Sequence, residues 1–127
     1  MPTTVEQLLA DARAGLQRLS PEDAHAAVRD GAKLVDIRSD SQRLADGRIP
    51  GAHFVARNVL EWRLDPACPH RDAELTRGEG LIILVCDEGF QSSLAAATVQ
   101  RFGSLRVTDV IGGFRAWKAV GLPVEPA

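Results

Sequence analysis

Leu81-Ile82-Ile83-Leu84-Val85-Cys86-Asp87-Glu88-Gly89-Phe90-Gln91, running on into Ser92-Ser93-Leu94-Ala95-Ala96-Ala97-Thr98-Val99-Gln100-Arg101, is the stretch that decides the fold. The unbroken apolar run from Leu81 to Val85 reads as a strand buried on both faces, the pattern of a central strand in a parallel sheet. A short loop opens at Cys86, and the segment from Ser92 to Arg101 reads as a helix. An α/β fold places its reactive groups at the carboxyl end of such a strand, facing the next helix. The free N–H groups and positive dipole end of that helix favour a thiolate, and the thiolate is the nucleophilic form of cysteine.

Outward from this centre, strands and helical segments alternate. Thr4 to about Ala14 is an amphipathic helix with Val5, Leu8, Leu9 and Ala12 on one stripe, a Thr4/Gln7 capping box and a stop at Gly15. Leu16 to Leu19 reads as a short edge strand, and Ser20-Pro21-Glu22-Asp23 starts a helix that runs to about Arg29. Lys33 to Arg38 is a strand, and Ser39 with Gln42 caps a short helix that stops at Gly47. A turn at Ile49-Pro50-Gly51-Ala52 feeds a strand at His53-Phe54-Val55, and Arg57 to Leu64 reads as a helical turn. Pro66 to about Gly80 reads as irregular, Arg106 to Ile111 as the last strand, and Phe114 to Val120 as the last helix. The alternation predicts one α/β domain over residues 1–127, a five-stranded, mainly parallel sheet with helices on both faces.

Composition narrows the function. The chain has 127 residues, 45% hydrophobic and 25% charged, which suits a single globular domain. A net charge of −2 offers no basic field for nucleic acid or an anionic membrane. No apolar run approaches the roughly 20 residues that a membrane span needs. The N-terminus lacks the basic start and apolar core of a signal peptide, so a reducing cytoplasm is the expected compartment. Neither Cys68 nor Cys86 lies in a Cys-x-x-Cys pair, and no His, Cys and acid cluster has metal-ligand spacing, so neither a metal nor another cofactor is expected. Cys68 lies in a proline-punctuated loop and reads as a bystander.

Four motifs stand in order: Leu34-Val35-Asp36-Ile37-Arg38, the turn Gly47-Arg48-Ile49-Pro50-Gly51-Ala52, the Cys-x-x-Gly-x-x-Ser loop at Cys86 to Ser92, and the closing element Asp109 to Trp117 with its Gly-Gly-x-x-x-Trp pattern. In these motifs the chain resembles the rhodanese-like (sulfurtransferase) domains. Together they span about residues 17 to 125, with the helix at Thr4 to Ala14 as an addition before the core. The resemblance implies a sulfur carrier at Cys86, which takes a sulfane sulfur from thiosulfate or a persulfide and passes it to cyanide or a thiol. This is covalent catalysis in two steps. It implies small-molecule donor and acceptor partners and leaves the oligomeric state open. The backbone N–H groups from Asp87 through Glu88, Gly89, Phe90 and Gln91 to Ser92 would cradle the anionic sulfur.

Three loop residues depart from the family pattern. Gln91 stands where many active members carry an arginine, and Asp87 and Glu88 bring negative charge beside the thiol. That charge opposes thiolate formation and repels a dianionic donor. A weakly catalytic relay, redox-sensing or binding module is therefore the alternative to an efficient enzyme. Related phosphatases close a longer loop with an arginine, and none lies within this one. Arg57 and Arg63 are candidates to supply the missing positive charge, with Arg57 the favoured one. Their alternative is an amphipathic turn with Trp62 in the core. His53, His70 and Arg71 are lesser candidates to line the site. Phe90 either walls the sulfur or folds back onto the domain, Trp117 and Phe114 read as core, and Asp36, Arg38 and Arg48 as loop anchors.

Overall fold

Local sequence signals set most element ends. The computed structural model, which describes residues 2–103 and 105–127, opens with helix α1 (Val5–Ala14) behind the Thr4/Gln7 capping box. Helix α2 (Pro21–Arg29) begins with Ser20 accepting from the Asp23 N–H and proline in the first turn, and Ser39 with Gln42 boxes α3 (Asp40–Asp46). Strands β1 (Lys33–Asp36), β2 (His53–Phe54), β3 (Leu81–Val85) and β4 (Arg106–Asp109) form one sheet in the order β2-β1-β3-β4, every pair parallel. Helices α4 (Leu60–Leu64), α5 (Ala73–Thr76), α6 (Gln91–Gln100) and α7 (Gly113–Ala119) complete the chain.

The sheet has four strands among the described residues, where five were expected. The candidate edge strand Leu16 to Leu19 contributes one parallel bridge, Leu19 to Val110. It is squeezed between the end of α1 at Gly15 and the cap of α2 at Ser20. The Gln17 carbonyl accepts from the Thr108 hydroxyl instead of from a strand amide. Two further expectations are corrected. The stretch from Pro66 to Gly80 holds α5, capped by Asp72 accepting from the Leu75 N–H. Trp62, offered as a core residue, is 55% exposed, and Leu60 and Leu64 carry the burial of that helix.

Side chains of a strand alternate between faces, and β3 uses both. Ile82 and Leu84 join a cluster with Val35, Leu60, Leu64, Leu75, Ala96 and Val99, under α4 to α6. Ile83 and Val85 join Leu34, Ala24, Phe114 and Trp117 on the opposite face, under α2 and α7. Each of these fully buried aliphatic side chains stabilises the fold by about 1.5–3 kcal/mol relative to exposure. The strand order reverses between β1 and β3, since one connection leads outward to β2 and the other outward to β4. An open α/β sheet binds ligands in the crevice at such a switch point, beyond the carboxyl ends of the strands. Ile37 to Ser39 and Cys86 occupy those ends.

Candidate active site

Cys86 follows directly on β3 and is 2% exposed. Its Sγ accepts a hydrogen bond from the Gly89 N–H at 3.2 Å. Gly89 reaches this position with a φ of 86°, in the left-handed region that suits glycine. The loop is packed against the start of α7, and a Cβ on Gly89 would stand 2.7 Å from the Gly112 nitrogen.

Three of the loop carbonyls, those of Cys86, Asp87 and Gly89, have partners outside the loop. The Phe114 N–H donates to the Cys86 oxygen at 2.8 Å, and the Arg115 N–H to the Asp87 oxygen at 3.1 Å. The Gly89 oxygen accepts from the Arg13 guanidinium at 2.8 Å and from Arg18 at 3.0 Å. In a trans peptide the carbonyl and the following N–H point in opposite directions. Fixing the carbonyls outward therefore leaves the N–H groups of Asp87, Glu88 and Phe90 for the other side of the loop. Helix α6 begins at Gln91, its free N–H groups immediately after the loop.

Behind the loop lies a buried polar network. Asp109, fully buried at the end of β4, accepts from the Ser92 hydroxyl at 2.7 Å and the Ser93 hydroxyl at 2.8 Å. It pairs with Arg18 at 2.8 Å. A buried carboxylate requires such partners, and here it ties α6, β4 and the segment after α1 into one support.

The acidic loop residues are partly answered. Arg115, on α7, pairs with Asp87 at 2.8 Å and approaches Glu88 at 3.9 Å. The hydrogen bond that Arg115 donates to Asp87, and then the charge of Asp87, holds the Arg115 guanidinium above its ordinary pKa. The second Asp87 carboxylate oxygen is buried and has no hydrogen-bond partner among the described residues. Glu88 is exposed.

The other candidates separate. Arg57 and Gln91 line one cavity of about 370 Å³ with Ile37, Arg38, Ser39 and Asn58, at the switch point. The Arg57 guanidinium is held by Glu61 at 2.9 and 3.1 Å. Arg63 donates to the His70 carbonyl, and neither it nor His53, His70 or Arg71 lines that cavity. Phe90 is 56% exposed, with the Arg13 guanidinium 5.8 Å from its ring centre, so it packs into neither core cluster. Ser92 presents its hydroxyl to Asp109 and is fully buried. A larger cavity, about 590 Å³ and lined by Gly15, Leu19, Gln100 and Thr108, follows the β4 edge, and neither cavity is lined by Cys86 itself, although Gln91 of its loop lines the smaller one. Both cysteines are free, and among the described residues no His, Cys, Asp and Glu group could hold a metal.

Sequence reasoning missed Arg13, Arg18 and Arg115. The stripe Val5, Leu8, Leu9 and Ala12 marked α1 as amphipathic; Leu9 and Ala12 are half-buried, while Val5 and Leu8 are 69% and 51% exposed. Arg13 also reaches inward from α1, and no local pattern distinguishes it from a solvated charge.

Known proteins share the sequence pattern and the fold. The model of the rhodanese-like domain family matches residues 20–120. Thiosulfate sulfurtransferase GlpE of Pseudomonas entomophila is 36% identical over 104 residues, 81% of this chain and 85% of its own length. Its namesake in Haemophilus influenzae is 30% identical over 112 residues, 87% of this chain and 96% of its own. A solved structure from Rhodopseudomonas palustris superposes with a TM-score of 0.87 at 32% identity, over 98% of this chain and 99% of its own. It is described as a protein of unknown function and possible tyrosine phosphatase.

Proposed function

This chain belongs to the rhodanese-like domain family and is a sulfurtransferase, and we propose that Cys86 is the residue that carries the sulfur. The observation that supports this most directly is the Gly89 N–H at 3.2 Å from Sγ, in a loop whose carbonyls are held outward. Such a loop stabilises an anionic sulfur, first the thiolate and then the persulfide. The Cys86 thiolate attacks the outer sulfur of thiosulfate, the sulfur–sulfur bond of the donor breaks, and sulfite leaves with that electron pair. A thiol or cyanide then attacks the outer persulfide sulfur and releases the Cys86 thiolate. Each step exchanges one bond to sulfur for another, so no added oxidant, reductant or cofactor is needed.

In this reading the N–H groups from Asp87 to Ser92 contact the donor, while Arg57 and Gln91 line the approach. Residues 1–127 form one domain that works on small-molecule donors and acceptors, without nucleic acid, in the reducing cytoplasm, where Cys86 stays a thiol. Among the described residues no helix is long and apolar enough to cross a membrane. A phosphatase reading has less support. The loop from Cys86 to Ser92 contains no arginine to grip phosphate oxygens, and Arg13 and Arg18 are spent on the Gly89 carbonyl.

The test is intact-protein mass spectrometry after thiosulfate and then cyanide. One added sulfur, confined to Cys86 and removed by cyanide, is the expected result. No uptake from thiosulfate or from a small persulfide would leave a binding module, and hydrolysis of an aryl phosphate would favour the phosphatase.

A further inference from the structure

We propose that helix α1 belongs to the Cys86 site, with Arg13 and Arg18 as positioning residues that hold the Gly89–Phe90 peptide and bring the positive charge that the loop itself lacks. The inference rests on Cys86 being the reactive residue. Both arginines precede residue 20, where the match to the family begins.

A carbonyl oxygen has two lone pairs, and the Gly89 oxygen accepts from both guanidiniums, at 2.8 and 3.0 Å. With the oxygen held this way, the trans peptide turns the Phe90 N–H in the opposite direction, to the side where Gly89 already donates to Sγ. The two arginines are themselves anchored. Arg18 donates to both oxygens of Asp109, at 2.8 and 3.2 Å. Arg13 donates through Nε to the Ser93 hydroxyl at 3.1 Å, and Ser93 donates on to Asp109. One buried carboxylate thus sets both guanidiniums against one carbonyl.

The charges divide unequally. Arg18 is balanced by Asp109. Arg13 has no carboxylate within ion-pair distance among the described residues, so its charge acts on the loop uncompensated. The other charged groups at the loop are Arg115 from α7 and the loop's own Asp87 and Glu88, while Glu6 of α1 lines a cavity with Phe90 and Gln91, and Arg38, Asp40 and Arg57 line another with Gln91. Arg13 therefore provides from outside the charge that Gln91 does not.

The test is the rate of Cys86 alkylation by iodoacetamide as a function of pH, in the full chain carrying Cys68→Ser. With Arg13→Ala added, alkylation near neutral pH should slow roughly three- to tenfold and the profile should move to higher pH, as expected for removing one charge near a thiolate. Arg13→Lys, which keeps the charge and one donor, should recover part of the rate. Melting temperature checks that each variant remains folded. An unchanged rate would overturn the proposal. So would a faster rate, because a helix that merely covers the loop would expose the thiol when loosened. Slower alkylation in Arg13→Ala, beside a parent that takes up no sulfur from thiosulfate, would uphold the positioning role and remove the sulfur-transfer reading instead.

Discussion

At the scale of single residues, the proposed site separates into a nucleophile, its donors and the charges around it. Cys86→Ser should abolish sulfur transfer, since an alcohol cannot form the persulfide, while Cys68→Ser should retain most of the activity. Uptake of sulfur by the first variant in the same mass measurement would displace Cys86 as carrier. The acids at 87 and 88 differ more than adjacency suggests. Asp87 is tied to Arg115 at 2.8 Å, so neutralising it would also release a cation, whereas Glu88 is exposed and only loosely approached at 3.9 Å. Glu88→Gln should therefore raise kcat/KM for thiosulfate roughly twofold, by removing repulsion toward a dianion. Arg115→Ala should lower it, by exposing the same donor to an unpaired Asp87. Steady-state turnover at low and high salt checks both, because screening should shrink the two effects.

At the scale of elements, the loop and α7 are built as one unit. Gly113 has a φ of 63°, and a Cβ there would stand 2.6 Å from the Cys86 carbonyl oxygen. Gly113→Ala should cost about 2–5 kcal/mol, combining left-handed strain with overpacking. It should also slow sulfur transfer, because that carbonyl is one of those held outward. Urea denaturation with parallel activity measurements tests this, and a variant with ordinary stability and rate would show that the Gly-Gly pair is not what shapes the loop. The element boundaries themselves were readable where side-chain chemistry is local. Thr4 with Gln7, Ser20 ahead of Pro21, and Ser39 with Gln42 mark helix starts because each cap side chain satisfies an orphan N–H within one turn, and proline at the first position has none to satisfy. The expected strand at Leu16 to Leu19 dissolved because pairing depends on what lies alongside, and there a single bridge, Leu19 to Val110, joins it to the chain just past β4.

At the scale of the whole molecule, Arg38 joins parts that are distant along the chain. It is 1% exposed, pairs with Asp36 at 2.8 Å, donates to the Gly47 carbonyl at 2.8 Å and stacks 3.7 Å from the Phe114 ring centre. Arg38→Met should cost about 3–5 kcal/mol, because Asp36 would be left buried with its main partner gone. A chemical-denaturation midpoint close to that of the parent would mean that Arg43, 3.7 Å from Asp36, takes over the pairing. The sequence by itself determined the α/β class, the central strand, the position of Cys86 after it and the family, because these depend on periodicity, caps and motifs confined to short stretches. It also showed that the loop has no arginine of its own. Only the tertiary structure decided where the compensating charges come from. Arg13 and Gly89 are 76 positions apart, Arg18 and Asp109 are 91 apart, and each pair meets only once the sheet brings the end of β4 and the Cys86 loop against the chain's N-terminal segment. A charge on a helix surface looks the same in sequence whether it faces water or a carbonyl, and packing alone makes the difference.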